Sequence, residues 1–150
     1  MYITTKGRYG VQALTDLAMY SRDKPVSITK IARRQKLSAN YLEQLFALLK
    51  KSDLVKSIRG AGGGYVLSRS ADEISMLEVL RVLEGEIELS EALHRPEVSD
   101  VAFNTMISCN QALWLPLEKS LRELLGQVTL QDLCDELNRQ NTISSDYYYI

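Results

Sequence analysis

The pattern of apolar and polar residues predicts helices throughout the first third of the chain. Leu14 and Leu17 recur at helical spacing in a first helix that begins near Lys6. This helix is expected to end near Arg22, because Pro25 disfavours helical backbone in the residue before it. The few residues before Lys6 could pair as a strand or simply lead into the helix.

Two further helices are predicted around a short turn at residues 36–37. Ser27 and Ser38 are suitable N-caps, because a hydroxyl can accept a hydrogen bond from the unpaired amides of a first turn. Two short helices joined by a tight turn are typical of a helix-turn-helix. The third helix separates an apolar stripe from a polar face. The stripe consists of Leu42, Leu45, Phe46 and Leu49, and the opposite face of Asn40, Glu43, Gln44, Ala47 and Lys50.

A glycine-rich loop follows, between two apolar, β-branched runs within residues 54–67. Four of the five residues from Gly60 to Gly64 are glycine, which tolerates the positive φ angles of tight turns. Arg59 precedes the turn and Tyr65 follows it. The pattern predicts a β-hairpin. With the preceding helices it indicates a winged helix-turn-helix, in which a helix enters a DNA groove and the hairpin lies against the backbone or an adjacent groove.

The pattern after the hairpin is helical again, with one long interruption. Ser75 and Glu78 form a capping-box pattern at the start of a helix that should stop at Gly85. Residues 86–110 have weak periodicity and are expected to form a loop, which could contain a short helical piece. Its length is unusual for a compact domain and suggests a functional role. Thr129 should cap a last short helix, and the tyrosines at 147–149 are expected to be docked.

Apolar residues between 113 and 128 step by four, four, three and four, which is close to a heptad repeat. Pro116 must lie in the first turn of this helix or kink it. The stripe could pack on its own domain or pair with a second copy of the chain. Its members are Leu113, Leu117, Leu121, Leu124 and Val128.

Charge is distributed very unevenly along the chain, although the formal net charge is only −1. Residues 1–70 contain 13 Lys and Arg against 4 Asp and Glu, a formal charge of +9. Residues 71–150 contain 5 Lys and Arg against 15 Asp and Glu, a charge of −10. Chance segregation on a solvated surface is the simpler explanation, but so large a split favours a basic nucleic-acid face joined to an acidic half.

The polar face of the third helix suits base recognition. Asn and Gln offer paired donors and acceptors to base edges, and Glu can accept from cytosine. Lys and Arg supply phosphate contacts, which hold the protein in register. An ordinary solvated helix would look similar, but the adjoining hairpin and the basic half favour recognition.

Composition limits the other classes of protein. Hydrophobic content of 45% and charged content of 25% are ordinary for a globular protein. No apolar run approaches the roughly 20 residues of a membrane span, and the N-terminus lacks the apolar core of a secretion signal. Two cysteines do not make a disulfide framework. We therefore expect a cytoplasmic protein without membrane contact.

Candidate catalytic chemistry is sparse, and we predict no enzyme. The glycine loop lacks the Gly-Lys-Ser/Thr ending of a phosphate loop. His94 has no partner at triad or metal spacing, and Cys109 has no basic neighbour that would lower its thiol pKa. Cys134 sits at core spacing in the last helix. A thiol-based enzyme and a protein-binding module that works through the acidic half remain the alternatives.

Several segments closely resemble the signature of a known family. These are Thr5-Lys-Gly-Arg-Tyr9, Leu37-Ser38 with Tyr41-Leu-Glu-Gln-Leu45, Leu54-Val-Lys-Ser-Ile-Arg-Gly60 and Gly62-Gly-Gly-Tyr65. They resemble the IscR/CymR regulators, a winged-helix family usually called Rrf-two (Rrf2). The resemblance is strong over residues 1–85 and weaker in Leu113-Trp114, Thr129-Leu130 and the closing Tyr-Tyr-Ile.

The resemblance implies a bacterial homodimer that binds palindromic double-stranded DNA as a transcription regulator, expected here to be a repressor. It implies a mainly α fold with a small hairpin wing. We divide the chain into a winged helix-turn-helix (1–85), an effector or sensor loop (86–111) and a dimerisation helix with its tail (112–150). The predicted dimer contacts are Leu113, Trp114, Leu117, Leu121, Leu124 and Val128. The predicted DNA contacts are Lys6, Arg8, Tyr9, Ser38, Asn40, Tyr41, Glu43, Gln44, Lys50, Arg59, Gly60, Gly62, Gly63 and Tyr65.

One branch of this family carries a [2Fe–2S] cluster on three cysteines and usually a histidine in the loop before the dimer helix. Here Ser108 and Gln111 stand where a ligand cysteine and histidine would be expected, leaving Cys109 and His94 as weak metal candidates. Because such a cluster normally takes four protein ligands, we predict no cofactor.

The cysteine-metabolism branch of the family lacks these ligands and responds through a partner enzyme, cysteine synthase. The triple-tyrosine ending fits that branch loosely. Control of cysteine, sulfur or iron–sulfur metabolism is the expected role. The alternative is an iron–sulfur or thiol-based redox-sensing regulator with atypical ligands.

Overall fold

The computed structural model describes residues 3–89 and 99–147, so His94 and residues 148–150 lie outside it. In the part of the chain that it describes, six α-helices and one antiparallel hairpin confirm the predicted mainly α fold with a wing. No helix in these two ranges is long and apolar enough to cross a membrane. The elements are α1 (Thr5–Tyr20), α2 (Ile28–Gln35), α3 (Ala39–Lys51), β1 (Val55–Ile58), β2 (Gly64–Leu67), α4 (Met76–Glu84), α5 (Val101–Gln127) and α6 (Leu130–Tyr147).

The core lies between α1, α2, α3 and α4 and is closed by the start of α6. The apolar stripe predicted for α3 is confirmed, because all four of its residues are almost completely buried. Burial of each such side chain stabilises the fold by roughly 1.5–3 kcal/mol relative to exposure. Other fully buried members are Leu14, Leu17, Ile31, Leu54, Ile74, Leu83 and Leu130.

Helices α1 and α4 approach each other closely. A Cβ on Gly10 would lie 2.3 Å from a methyl group of Leu83, so a larger residue there would force Leu83 to shift. The carboxylate of Glu84 also caps the start of α1, accepting hydrogen bonds from the amides of Thr4 and Gly7, each at 2.8 Å. The end of α4 therefore fixes the start of α1.

A buried ion pair joins α1 to α2. Asp16 is only 2% exposed and accepts two hydrogen bonds from Arg34, at 2.9 and 2.6 Å. The amide of Gln35 donates to the same carboxylate at 2.6 Å. The hydrogen bond to Asp16 raises the pKa of Arg34, whose guanidinium also lies 4.0 Å from the ring centroid of Tyr20. Because a buried carboxylate is costly without partners, this network fixes α2 against α1.

The wing is attached to the segment before α2. Strands β1 and β2 pair from Val55 with Leu67 to Ile58 with Gly64. Tyr65 then exchanges two backbone hydrogen bonds with Val26, at 3.0 and 2.8 Å. A Cβ on Gly64 would lie 2.4 Å from the Val26 carbonyl carbon, and Gly64 has φ +151°. Glycine is thus required at the point where the wing meets the helix-turn-helix.

The second half departs from the predicted layout. Helix α5 begins at Val101, so the expected loop is wrong from that residue onward. Asp100 caps the helix by accepting from the amide of Phe103 at 3.0 Å. Pro116 lies inside the helix rather than in its first turn, and its ring removes one donor from the helical ladder.

The caps of the last two helices are partly as predicted. Thr129 and Asp132 cap α6 reciprocally, at 3.2 and 2.7 Å, but this helix extends over 18 residues instead of being short. The Ser75 hydroxyl accepts from the Glu78 amide at 3.3 Å, as predicted. The Glu78 carboxylate, however, forms an ion pair with Arg69. As predicted, α4 ends at Gly85, which has φ +90°.

Replacement of Gly64 should test how the wing is attached. Gly64→Ala should lower the free energy of unfolding by about 1–3 kcal/mol, because it adds backbone strain and a clash with Val26. Gly62→Ala is the matched control, since its Cβ would meet nothing within 4 Å. Urea denaturation followed by circular dichroism measures both. Equal stability of the two variants would contradict the close contact between Gly64 and Val26.

Candidate nucleic-acid interface

The exposed face of α3 is the centre of the candidate interface. Lys36 adopts a left-handed conformation (φ 54°) that makes the turn after α2. The Ser38 hydroxyl then accepts from the Tyr41 amide at 3.4 Å and caps α3. Ser38, predicted as a DNA contact, therefore has a structural role in the helix start. The structure brings together on one exposed face the predicted residues Asn40, Glu43, Gln44, Ala47 and Lys50.

The start of α1 lies beside the start of α3. The rings of Tyr9 and Tyr41 meet edge to face with centroids 6.3 Å apart. The Arg8 guanidinium lies 6.0 Å from the Tyr9 centroid, and Arg8 and Lys6 are both exposed. These four residues, all predicted as DNA contacts, form a basic and aromatic edge beside the polar face of α3.

The tip of the wing exposes backbone and one cation. Arg59, Gly60 and Gly62 are exposed, and the Gly63 amide donates to the Gly60 carbonyl at 3.0 Å to close the turn. Gly60 has φ +113°, and a Cβ on Gly63 would lie 2.3 Å from the Ile58 carbonyl oxygen. These glycines therefore shape a tip that can approach another surface closely.

Tyr65 is placed differently from the other predicted contacts. Its ring is half-buried and packs on Phe46, with centroids 4.9 Å apart and an interplanar angle of 66°. Its backbone carries the pairing with Val26 described above. Tyr65 consequently holds the wing beside α3.

Positive charge around the interface is largely uncompensated. Within the described part of residues 1–70, the ion pairs are Arg34 with Asp16 and Arg69 with Glu78. Lys51 and Lys56, which were not predicted, are exposed near the end of α3 and on β1. The feature of the sequence that could have identified these two lysines is the clustering of basic residues in residues 1–70. Such a surface attracts a polyanion.

A second exposed surface runs along α5 and consists of apolar side chains. Leu113, Leu117 and Leu124 of the predicted stripe are exposed, and Leu124 reaches 59%. Phe103 and Met106 continue the same heptad spacing toward the start of the helix and are also exposed. Sequence reasoning missed both because it placed them in a loop. We call Phe103, Met106, Leu113, Leu117 and Leu124 the α5 stripe.

The other predicted dimer contacts lie outside this stripe. Trp114 and Leu121 are half-buried. Val128 follows the last residue of α5, packs against the core, and accepts from the Met76 amide at 2.8 Å through its carbonyl. Val128 therefore helps to attach α5 to its own domain.

The two cysteines occupy different environments. Cys109 is exposed on α5, whereas Cys134 is buried on α6, as predicted. Burial raises the pKa of the Cys134 thiol, and the nearby Asp135 carboxylate raises it further. No group of three or more His, Cys, Asp and Glu side chains that could hold a metal occurs in residues 3–89 and 99–147. One exposed thiol does not make the four-ligand set of an iron–sulfur cluster.

Comparison with known proteins gives consistent matches over most of the chain. A family model described as Rrf2, iron-dependent transcriptional regulator, matches residues 3–136. The transcriptional regulator CymR of Bacillus subtilis is 41% identical over 133 residues, covering 89% of each chain. The regulator IscR of Xenorhabdus nematophila is 37% identical over 133 residues, covering 89% of this chain and 79% of its own.

Solved structures of related proteins share the fold. The structure of CymR from B. subtilis, described as its global cysteine regulator, has a TM-score of 0.77 at 39% identity and covers 91% of this chain and 98% of its own. The structure of IscR from T. potens has a TM-score of 0.72 at 40% identity, covering 91% and 88%.

Proposed function

Because this chain belongs to the Rrf2 family of transcriptional regulators, we propose that it binds a palindromic operator as a homodimer and represses the adjoining genes. Its relatives are regulators, and it is not an enzyme. The observation that carries the proposal is the exposed polar face of α3 beside a glycine-tipped wing on the +9 half of the chain.

In this proposal α3 lies in the major groove and reads base edges. Asn40 and Gln44 suit adenine, and Glu43 suits cytosine, by their donor and acceptor patterns. Lys50 and the edge formed by Lys6, Arg8, Tyr9 and Tyr41 contact phosphates, which fixes the register without reading sequence. Arg59 acts through the wing, whose glycines let the backbone approach DNA.

The partner of the α5 stripe in this proposal is the same stripe of a second copy. Exposed side chains such as Met106 (62%) and Leu124 (59%) lose contact with water when two stripes pair, which favours association. A symmetric dimer presents two α3 helices to one side of DNA. The half-sites should then be separated by about one helical turn, roughly 34 Å, or more.

We assign the regulatory input to something other than a conventional iron–sulfur cluster. The chain has two cysteines, and Cys134 is buried in the core. The acidic segment that begins after α4 is the proposed docking place for a small molecule or a partner such as cysteine synthase. By analogy with the regulator described as controlling cysteine in B. subtilis, the controlled genes belong to sulfur metabolism. The exposed thiol of Cys109 favours redox sensing as the second candidate.

Base reading can be tested at Gln44, which is exposed on α3. Gln44→Ala should weaken operator binding by about 1–3 kcal/mol and relax base preference at one position of each half-site. Gln140→Ala, exposed on α6, is the control and should bind like the unmodified protein. The measurement is titration of operators mutated at each position. Unchanged affinity and base preference for Gln44→Ala would show that α3 docks differently.

The pairing surface can be tested with a charge on the α5 stripe. Leu117→Asp should give monomers of 17.0 kDa, because a charge in an apolar contact is costly to bury. Leu115→Asp is the matched control, since Leu115 is equally exposed (46%) but lies on the opposite side of the helix. Light scattering coupled to size exclusion measures the mass. A normal dimer from Leu117→Asp would place the pairing surface elsewhere.

The absence of a conventional cluster can be tested by purification without oxygen. We expect colourless protein that still binds its operator, because one accessible thiol cannot hold a cluster that takes four protein ligands. Absorbance spectra and iron analysis provide the measurement. Brown protein with about two irons per chain, lost in Cys109→Ala or His94→Ala, would overturn this and place the chain in the iron–sulfur branch with atypical ligands.

A further inference from the structure

Helix α5 is joined to the winged-helix domain mainly at its C-terminal end. There the Val128 carbonyl accepts from the Met76 amide, and the Leu130 amide donates to the Ile74 carbonyl, both at 2.8 Å. Leu125 packs against the core nearby. Toward its start the helix is much more exposed, as Val101 (78%) illustrates. The first part of α5 therefore projects from the domain as an arm.

A second attachment lies at the base of this arm, at Glu118 and Arg122. The Glu118 carboxylate accepts from the Leu89 amide at 3.2 Å and pairs with Arg122 at 2.9 Å. Arg122 in turn donates to the Ile87 carbonyl at 3.0 Å. Ile87 is itself buried, so the segment leaving α4 is fixed against α5. We call Glu118 and Arg122, with the backbone they bind, the α5 clamp.

Glu118 is an unusual residue to find in this position. Its side chain is only 6% exposed, and Asp16 is the other buried acid of the described ranges. Burying a charged pair is expensive, and packed apolar residues often stabilise a fold equally well. The clamp instead constrains the orientation of α5. Its hydrogen bonds to the Leu89 amide and the Ile87 carbonyl hold fixed backbone atoms against one side of the helix. The clamp is therefore better suited to fixing the angle between α5 and the winged-helix domain than to stabilising the fold.

We propose that Glu118 and Arg122 are positioning residues that set the angle of α5 to the winged-helix domain, and through it the spacing between the two half-sites. The inference rests on the proposed dimer, in which the α5 stripe joins the two copies. Every change of this angle then moves one recognition helix relative to the other.

The length of the arm makes the angle important. Val101 lies 17 residues before Glu118, about 25 Å along the helix at 1.5 Å per residue. A tilt of about 10° moves the end of such an arm by about 4 Å, compared with about 3.4 Å between successive base pairs. Loss of the clamp should therefore let the dimer accept spacers that it would otherwise reject.

The experiment uses operators that differ only in spacer length. The full-length protein is titrated against its selected operator and against versions with one or two base pairs added or removed. Glu118→Gln keeps the shape of the side chain but removes its charge. Glu123→Gln is the matched control, because Glu123 forms the exposed i,i+4 pair with Lys119 on the same helix.

The unmodified protein and Glu123→Gln should share one sharp spacing preference. In Glu118→Gln the affinity ratio between the best spacer and its neighbours should fall about tenfold, the scale of one charge-assisted hydrogen bond. Arg122→Lys should act similarly, because Arg122 Nη2 contacts both Glu118 and the Ile87 carbonyl, and the lysine side chain is one bond too short to place its ammonium at that position. It also provides a second test if Glu118→Gln folds poorly.

Two outcomes would overturn the inference alone. One is an unchanged spacing preference in folded variants whose melting temperature falls, which would make the clamp a stabilising contact only. The other is an unmodified dimer that binds its operator equally well at every spacer. If the unmodified protein binds no DNA, the proposed function fails, and the inference fails with it.

Discussion

The packing of Tyr65 on Phe46 is the contact on which the candidate interface depends. Phe46 belongs to the buried side of α3, and Tyr65 belongs to the wing. Their ring centroids are 4.9 Å apart, and the Tyr65 backbone exchanges two hydrogen bonds with Val26, just before α2. One residue thus joins the wing to both helices of the helix-turn-helix. The exposed side of α3 and the tip of the wing can then act as a single rigid surface.

Much of the first half follows from local sequence. Serine caps, the apolar stripe of α3 and the glycine turn each act within a few residues, so pattern alone predicts them. The predicted exposed face of α3 also follows, because a helix with one buried stripe must present its other side to solvent. The packing role of Tyr65 could not be predicted in the same way, because its contact with Phe46 joins residues that are distant in sequence.

The second half shows where local pattern fails. Val101 and Met106 are apolar but exposed, so the start of α5 does not show the division into a buried apolar side and an exposed polar side that predicts a helix. Pro116 allowed either a helix start or a kink, and the sequence could not show that it lies in the interior of a 27-residue helix. Asp16 is satisfied by Arg34, 18 residues away in sequence, and Glu118 accepts from the Leu89 amide, 29 residues away, in addition to its pair with Arg122. Such polar contacts have no periodic signature.

The division of charge between the two halves of the chain and the two different sides of α5 can be explained together. The basic half carries the candidate interface for a polyanion, and the acidic half carries the arm that joins a second copy in the proposed dimer and the segment proposed to receive a signal. One side of α5 is attached to its own domain through Glu118, Arg122 and Leu125, and another carries the bare α5 stripe. A dimeric regulator needs both the attached side and the pairing side of α5, because together they fix the distance between its two recognition helices.

Selection of bound DNA from a random pool, repeated at two salt concentrations, tests this account most directly. The account predicts enrichment of one inverted repeat, with affinity falling steeply as salt rises because phosphate contacts release counterions. A pool that shows no sequence enrichment, or binding that is insensitive to salt, would contradict it.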